Sequence, residues 1–111
     1  MERNIMVTAE FIRAGKVFAE QAGQAMYAQV GERDACGFGW VEVYVDRTNS
    51  KQAKELLKAG FRKDYKPKCL SMWDPAGVPT QSISVKEAGA QAYAKYLQAL
   101  GLKAYAGSRL D

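Results

Sequence analysis

The chain has no histidine among its 111 residues. That absence removes the commonest general base, the usual activator of a serine or cysteine nucleophile and the commonest neutral metal ligand. Ser-His-Asp, Cys-His and zinc-deaminase chemistries are thereby excluded, and no metal site is expected. Cysteine is almost as scarce: Cys36 and Cys69 fit no metal-ligand spacing. They read as two reduced, half-buried strand residues, with a disulfide between neighbouring strands as the alternative. No apolar run nears the roughly 20 residues of a membrane-spanning helix. Met1-Glu2-Arg3-Asn4 leads into only three apolar residues, so a signal peptide is not expected either. No membrane contact and a cytoplasmic location are the default. Gly37-x-Gly39 lacks the third glycine and the following helix of a dinucleotide fingerprint, and the Walker lysine pattern is absent. No cofactor is expected.

What remains is the composition of a globular protein, 48% hydrophobic and 25% charged, at a length that suits a single domain spanning residues 1–111. Thr8 to Val30 reads as a first helix, capped by Thr8 and ended by Gly31, with Phe11, Gly15, Phe18, Ala22, Met26 and Val30 on one stripe. Gly15 and Gly23 inside it point to close approach of this helix to another backbone. Gly37 to Val45 alternates as a strand, with Val41, Val43 and Val45 on one side and Trp40, Glu42 and Tyr44 on the other. Its two glycines invite a bulge or tight packing against a helix. Asn49, with Gln52 in the capping-box position, opens a second helix from Lys51 to Ala59 that Gly60 ends and that buries Ala53, Leu56 and Leu57. Cys69 to Trp73 reads as a second strand and Asp74-Pro75-Ala76-Gly77 as a turn. Ser84-Val85-Lys86-Glu87 is a capping box for a third helix, Val85 to Leu100, whose buried side is Gly89, Ala92, Tyr93, Tyr96, Leu97 and Leu100. Beyond Gly101, Leu102 to Ala106 alternates as a closing strand. The order αβαβαβ predicts an α/β (α+β) domain, three helices packed on a small, roughly three-stranded sheet. Ala22-Gly23…Tyr27-Ala28 echoes Ala88-Gly89…Tyr93-Ala94. Either duplication of a helix-strand unit or chance in alanine-rich helices produces such a match.

Charge is uneven. The net charge is +4, yet Lys51 to Lys68 holds seven cations against Glu55 and Asp64, a local +5 that leaves the rest at −1. Phe61 and Tyr65 interleave with those cations. Cations for phosphates and rings for bases are what a nucleic-acid surface needs; a solvated lysine-rich face is the plainer alternative. The expected phosphate and base contacts are Lys58, Arg62, Lys63, Tyr65, Lys66 and Lys68. Trp73 stands where strand meets loop, and Trp40 and Tyr44 join it as one platform if the two strands pair. Arg109 offers a guanidinium that can hold a phosphate or carboxylate, unless it pairs with Asp74, Asp111 or the terminal carboxylate. No RNA-recognition-motif sequence signature, KH-type clamp or helix-turn-helix pattern accompanies these residues.

Two blocks, Ala35-Cys36-Gly37-Phe38-Gly39-Trp40-Val41 and Lys86-Glu87-Ala88-Gly89-Ala90-Gln91-Ala92 followed by Gly101 to Asp111, resemble small uncharacterised proteins of tailed bacteriophages. The resemblance implies a viral accessory protein acting in a bacterial cytoplasm and carries no activity or site with it. The expectation is a non-enzymatic binding protein that contacts nucleic acid or a phosphate-bearing ligand. A module that binds a host protein or forms a homo-oligomer is the alternative. Carboxylate chemistry by Asp74, Asp111 or Glu42 with Arg109 is a third reading.

Overall fold

The computed structural model describes residues 6–111; Met1–Ile5, the start of the stretch that bears on a signal peptide, lie outside the described residues. The central strand is β1 (Gly37–Tyr44), which pairs antiparallel with β3 (Cys69–Trp73) on one side and β4 (Lys103–Leu110) on the other. A two-residue strand, β2 (Arg62–Lys63), adds to the far edge of β3, so the order is β2-β3-β1-β4. The α+β class stands as expected, but the sheet has four strands. Arg62–Lys63 is too short to show the period-two pattern by which a strand is read from sequence. Between β1 and β4 the chain runs β-α-β-β-α-β, with β3 lying between β1 and β2, which is split-βαβ connectivity.

The alternation in β1 divides the sheet into a packed face and an open one. Val41 and Val43 are fully buried and join Leu70, Met72 and Ala104 in a core closed by Ile12, Ala19, Leu56, Phe61, Tyr93 and Leu97. All four helices lie on that side: α1 (Ala9–Ala14), α2 (Lys16–Val30), α3 (Lys51–Lys58) and α4 (Ile83–Ala99). Close packing there requires glycine in β1. A Cβ on Gly39 would stand 2.7 Å from the Lys86 carbonyl oxygen, and one on Gly37 would meet Ile83 at 2.7 Å.

The first helix is broken where one continuous helix was expected. At Gly15 the chain steps from α1 into α2, and a Cβ there would overlap the Tyr96 ring. Two tyrosines of α4 take up the carbonyls beside the break: Tyr96 Oη donates to Phe11 O at 2.6 Å and Tyr93 Oη to Ile12 O at 2.7 Å. The buried stripe is also displaced from the expected one. Ile12, Ala19 and Gly23 face inward, while Phe11 and Phe18 are exposed. Small residues win the inward position because α2 and α4 approach closely, Gly89 lying against Ala76 and the Ala19 carbonyl.

Helix starts differ from expectation in a consistent way. Ser50 Oγ, not Asn49, accepts from Ala53 N at 3.2 Å at the start of α3. Gln52 reaches across to Val7 instead of closing a box, exchanging two hydrogen bonds with its backbone, and Glu55 Oε1 accepts from Ala9 N at 2.8 Å. Thr8 precedes α1 without a capping bond, and its buried hydroxyl oxygen has no hydrogen-bond partner. At α4 the cap is Ser82, two residues before the expected Ser84. Asp34 Oδ2 accepts from Ser82 Oγ at 2.5 Å and from Ser84 N at 2.7 Å. Those bonds hold the Asp34 carboxyl down at about 2, Ser82 contributing most. The native state therefore binds this proton less readily than the unfolded chain, and the stabilisation is present above the ordinary value of 3.8 and lost as pH falls from there towards about 2. In urea titrations from pH 6 to pH 2, Asp34→Asn should be less stable than the parent at pH 6, with the gap closing near pH 2. A gap independent of pH would refute the linkage.

Candidate nucleic-acid interface

The open face of the sheet carries Phe38, Trp40, Glu42 and Tyr44 from β1. Register places Trp73 opposite Trp40, Ser71 opposite Glu42 and Cys69 opposite Tyr44. From β4 it sets Arg109 beside Phe38, Gly107 beside Trp40, Tyr105 beside Glu42 and Lys103 beside Tyr44. Residues directly opposite share a face, so this side of the sheet is a layer of rings. Trp40 and Trp73 stack with centroids 4.7 Å apart and planes at 24°. Phe38 meets Trp73 edge-on at 5.8 Å, and Tyr44 meets Tyr105 at 6.0 Å. Trp73 is 50% exposed. The platform anticipated from Trp40, Tyr44 and Trp73 is thus assembled on one face of the sheet.

Trp40 lies where it does because its neighbour is glycine. A Cβ on Gly107 would sit 2.6 Å from Trp40 Nε1. The indole N–H donates to Glu42 Oε2 at 2.8 Å, Tyr44 Oη donates to Glu42 Oε1 at 2.9 Å, and Lys66 Nζ adds an ion pair to Oε2 at 2.8 Å. Burial would raise the Glu42 carboxyl, but donation from Lys66, Trp40 and Tyr44 outweighs it and holds the group below its ordinary value. The same carboxylate raises Lys66 and pushes Tyr44 up to about 12. At neutral pH the face therefore holds a carboxylate anion and an ammonium cation. Replacing Gly107 with valine should expel the indole at a cost of about 1–3 kcal/mol. Near-UV circular dichroism should then lose the signal of the indole pair, while the far-UV spectrum stays native. An unchanged near-UV spectrum would show that glycine is not required there.

The β2–β3 turn arches over the Glu42 end of the face. Asp64 Oδ1 accepts from Lys66 N at 3.1 Å, a turn of the kind Asp favours, and Lys68 is left-handed with φ 57. Between this turn and the indoles is a cleft of about 240 Å³, lined by Trp40, Glu42, Asp64, Tyr65, Lys66, Trp73 and Arg109. Ligand pockets for drug-sized molecules run to ~300–1,000 Å³, so this one suits a single base or side chain. A roomier hollow of about 570 Å³ on α2 is lined by Val17, Glu20, Gln21, Gln24, Ala76 and Gly77 and offers no cation to a phosphate.

Of the residues expected in the site, Tyr65, Lys66, Trp73 and Arg109 meet in that cleft. Arg62 pairs with Ser71 in register and so lies on the open face as well. Lys63 pairs with Leu70 and belongs to the other side of the edge strand. Lys68 is exposed at the end of the turn. Lys58 ends α3, ion-paired with Glu55 at 3.2 Å, and lines no part of the cleft. Arg109 pairs with neither Asp74 nor Asp111; its guanidinium lies 5.4 Å from the Phe38 ring centroid, and Lys86 lies 5.6 Å from the same ring. Of Glu42, Asp74 and Asp111, only Glu42 lines the cleft with Arg109. Trp40 and Glu42 complete the site, and the alternation of β1 already placed them together. Cys36 is exposed and Cys69 buried, both free, and burial raises the Cys69 thiol. Among the described residues, no group of three His, Cys, Asp or Glu side chains could hold a metal ion. No family model, curated protein or solved structure matches the chain, so the phage-type resemblance rests on the two sequence blocks alone.

Proposed function

We propose that the protein binds single-stranded nucleic acid across the open face of its sheet. The observation that carries the reading is the half-exposed Trp73, stacked on Trp40 and flanked by Arg109 on one side and the Lys66 turn on the other. A four-stranded sheet whose aromatic side chains stack bases is how RNA-recognition-motif domains hold single strands, and stacking tolerates sequence because every base has a π-face. Arg62, Lys66 and Arg109 supply phosphate contacts around the rings. Duplexes should bind more weakly, since paired bases cannot reach the indoles. Under the phage-type resemblance the protein would act as an accessory factor in a bacterial cytoplasm.

The test is a salt series with labelled single-stranded RNA, single-stranded DNA and duplex DNA. If three cations each meet a phosphate, log Kd against log salt should have a slope magnitude of about 2, at ~0.7 per contact on a single strand. Affinity that ignores salt, or no binding at low salt, would sink the reading. A protein partner is the second reading, favoured by one observation: Phe11, Val17 and Phe18 of α1 and α2 are all exposed, Phe11 at 60%. A host protein held there should be lost in a Phe11→Ser, Phe18→Ser variant that still binds oligonucleotide.

A further inference from the structure

The outer edge of β4 has no partner strand among the described residues. It is long for an edge, eight residues from Lys103 to Leu110 in unbroken register with β1, without proline or bulge. Such an edge presents a row of outward amides and carbonyls to any strand that can match it. Asp111 N donates to Cys36 O at 3.1 Å, so the Asp111 backbone is turned towards β1. Alternation then turns Lys103, Tyr105, Gly107 and Arg109 to β1 and leaves the amides of Ala104, Ala106, Ser108 and Leu110 facing out. Gln98 Nε2 donates to the outward Ala104 carbonyl at 2.7 Å, in keeping with this parity.

We propose that β4 pairs with β4 of a second copy of this chain, antiparallel and centred on Gly107. That register sets Gly107 opposite Gly107 of the second copy, Tyr105 opposite Arg109 and Lys103 opposite Asp111. Outward-facing Ala106 and Ser108 exchange N–H···O=C bonds across the two-fold axis. Charge selects the register: each end carries a Lys103–Asp111 pair, and each side sets a guanidinium against a tyrosine ring. Centring on Ala106 instead would put Lys103 against Arg109, two cations, and centring on Ser108 would set Arg109 against Gly107 and Tyr105 against Asp111, losing the guanidinium–ring contact. Open-face residues oppose open-face residues, so the two sheets join as one and both aromatic layers face the same side. Tyr105 of each copy then borders the cleft that contains Arg109 of the other. This pairing is independent of the nucleic-acid reading and is measured without ligand.

Sedimentation equilibrium should show a monomer–dimer equilibrium. Lys103→Asp and Asp111→Lys, both at exposed positions, should each weaken it about tenfold by setting like charges opposite, and the double swap should restore it. A second arm uses Tyr105→Cys, Arg109→Cys in a Cys36→Ser background. Oxidation by glutathione disulfide should give a covalent dimer, because positions 105 and 109 within one strand lie too far apart to bridge. A monomer at the highest soluble concentration would overturn the proposal. So would a dimer that is indifferent to the charge swaps and fails to cross-link, which would place the contact elsewhere on the surface.

Discussion

Trp73→Ala should weaken single-stranded oligonucleotide binding by about 5- to 150-fold, measured by fluorescence anisotropy at fixed salt. The figure follows from base–aromatic stacking at ~1–3 kcal/mol per base, with each 1.4 kcal/mol a factor of ten. Trp73 is half-exposed and outside the buried core, so its removal should leave the melting temperature within a few degrees of the parent. Loss of binding together with a large loss of stability would mean that the indole is structural. Lys58→Glu is the matched control. Lys58 lies on α3, ion-paired with Glu55 and away from the cleft, so its reversal should alter affinity only through the net charge, by much less than Trp73→Ala. Lys66→Ala should fall between them, since it removes a cation from the cleft and frees the turn from Glu42. If Lys58→Glu matched Trp73→Ala, the binding surface would be the helical basic segment and not the sheet.

That contrast shows what sequence could and could not supply. Composition placed seven cations between Lys51 and Lys68, but a run in sequence is not a surface. The run crosses a helix end, an edge strand and a turn, which point its members in different directions. Only Lys66 lines the cleft and Arg62 shares its face. The aromatic half of the site was more legible, because period-two alternation is local. It placed Trp40, Glu42 and Tyr44 together before any pairing was known. The arrangement of Trp40 on Gly107 was not legible, because those residues become neighbours only through β1–β4 pairing. Distance in sequence also explains the caps. Ser82 and Ser84 are both cap residues by local chemistry, and the choice is made by Asp34, which binds Ser84 N and Ser82 Oγ from the loop just before β1. Likewise Gly15 and Gly23 imply close packing of the first helix from sequence alone, but which stripe faces inward depends on where α4 lies.

The same long-range logic gives the largest expected stability effect, at Tyr93. This ring is fully buried, 6.0 Å from Phe61 and 6.5 Å from Tyr96, and its hydroxyl donates to Ile12 O beside the break between α1 and α2. Burial raises the phenol far above the working pH range, so it serves as a neutral donor throughout. Tyr93→Ala empties the space between α4, α1 and the sheet and should cost about 3–5 kcal/mol, as large-to-small changes at buried aromatics do. Against a total of ~5–15 kcal/mol for a domain, that is a large share, and thermal unfolding should move down by more than about 10 °C. Tyr93→Phe keeps the ring and removes only the donor. It should cost about 1–2 kcal/mol, the penalty for leaving a buried carbonyl short of its partner. The ratio of the two effects separates packing from capping. If Tyr93→Phe were as costly as Tyr93→Ala, the hydroxyl would be holding the helix break and the ring would contribute little. If Tyr93→Phe cost nothing, the carbonyl of Ile12 would be satisfied by Gly15 N, which already lies at 3.3 Å. The intermediate result is the one this packing requires, because the ring fills the core while the hydroxyl closes the broken helix.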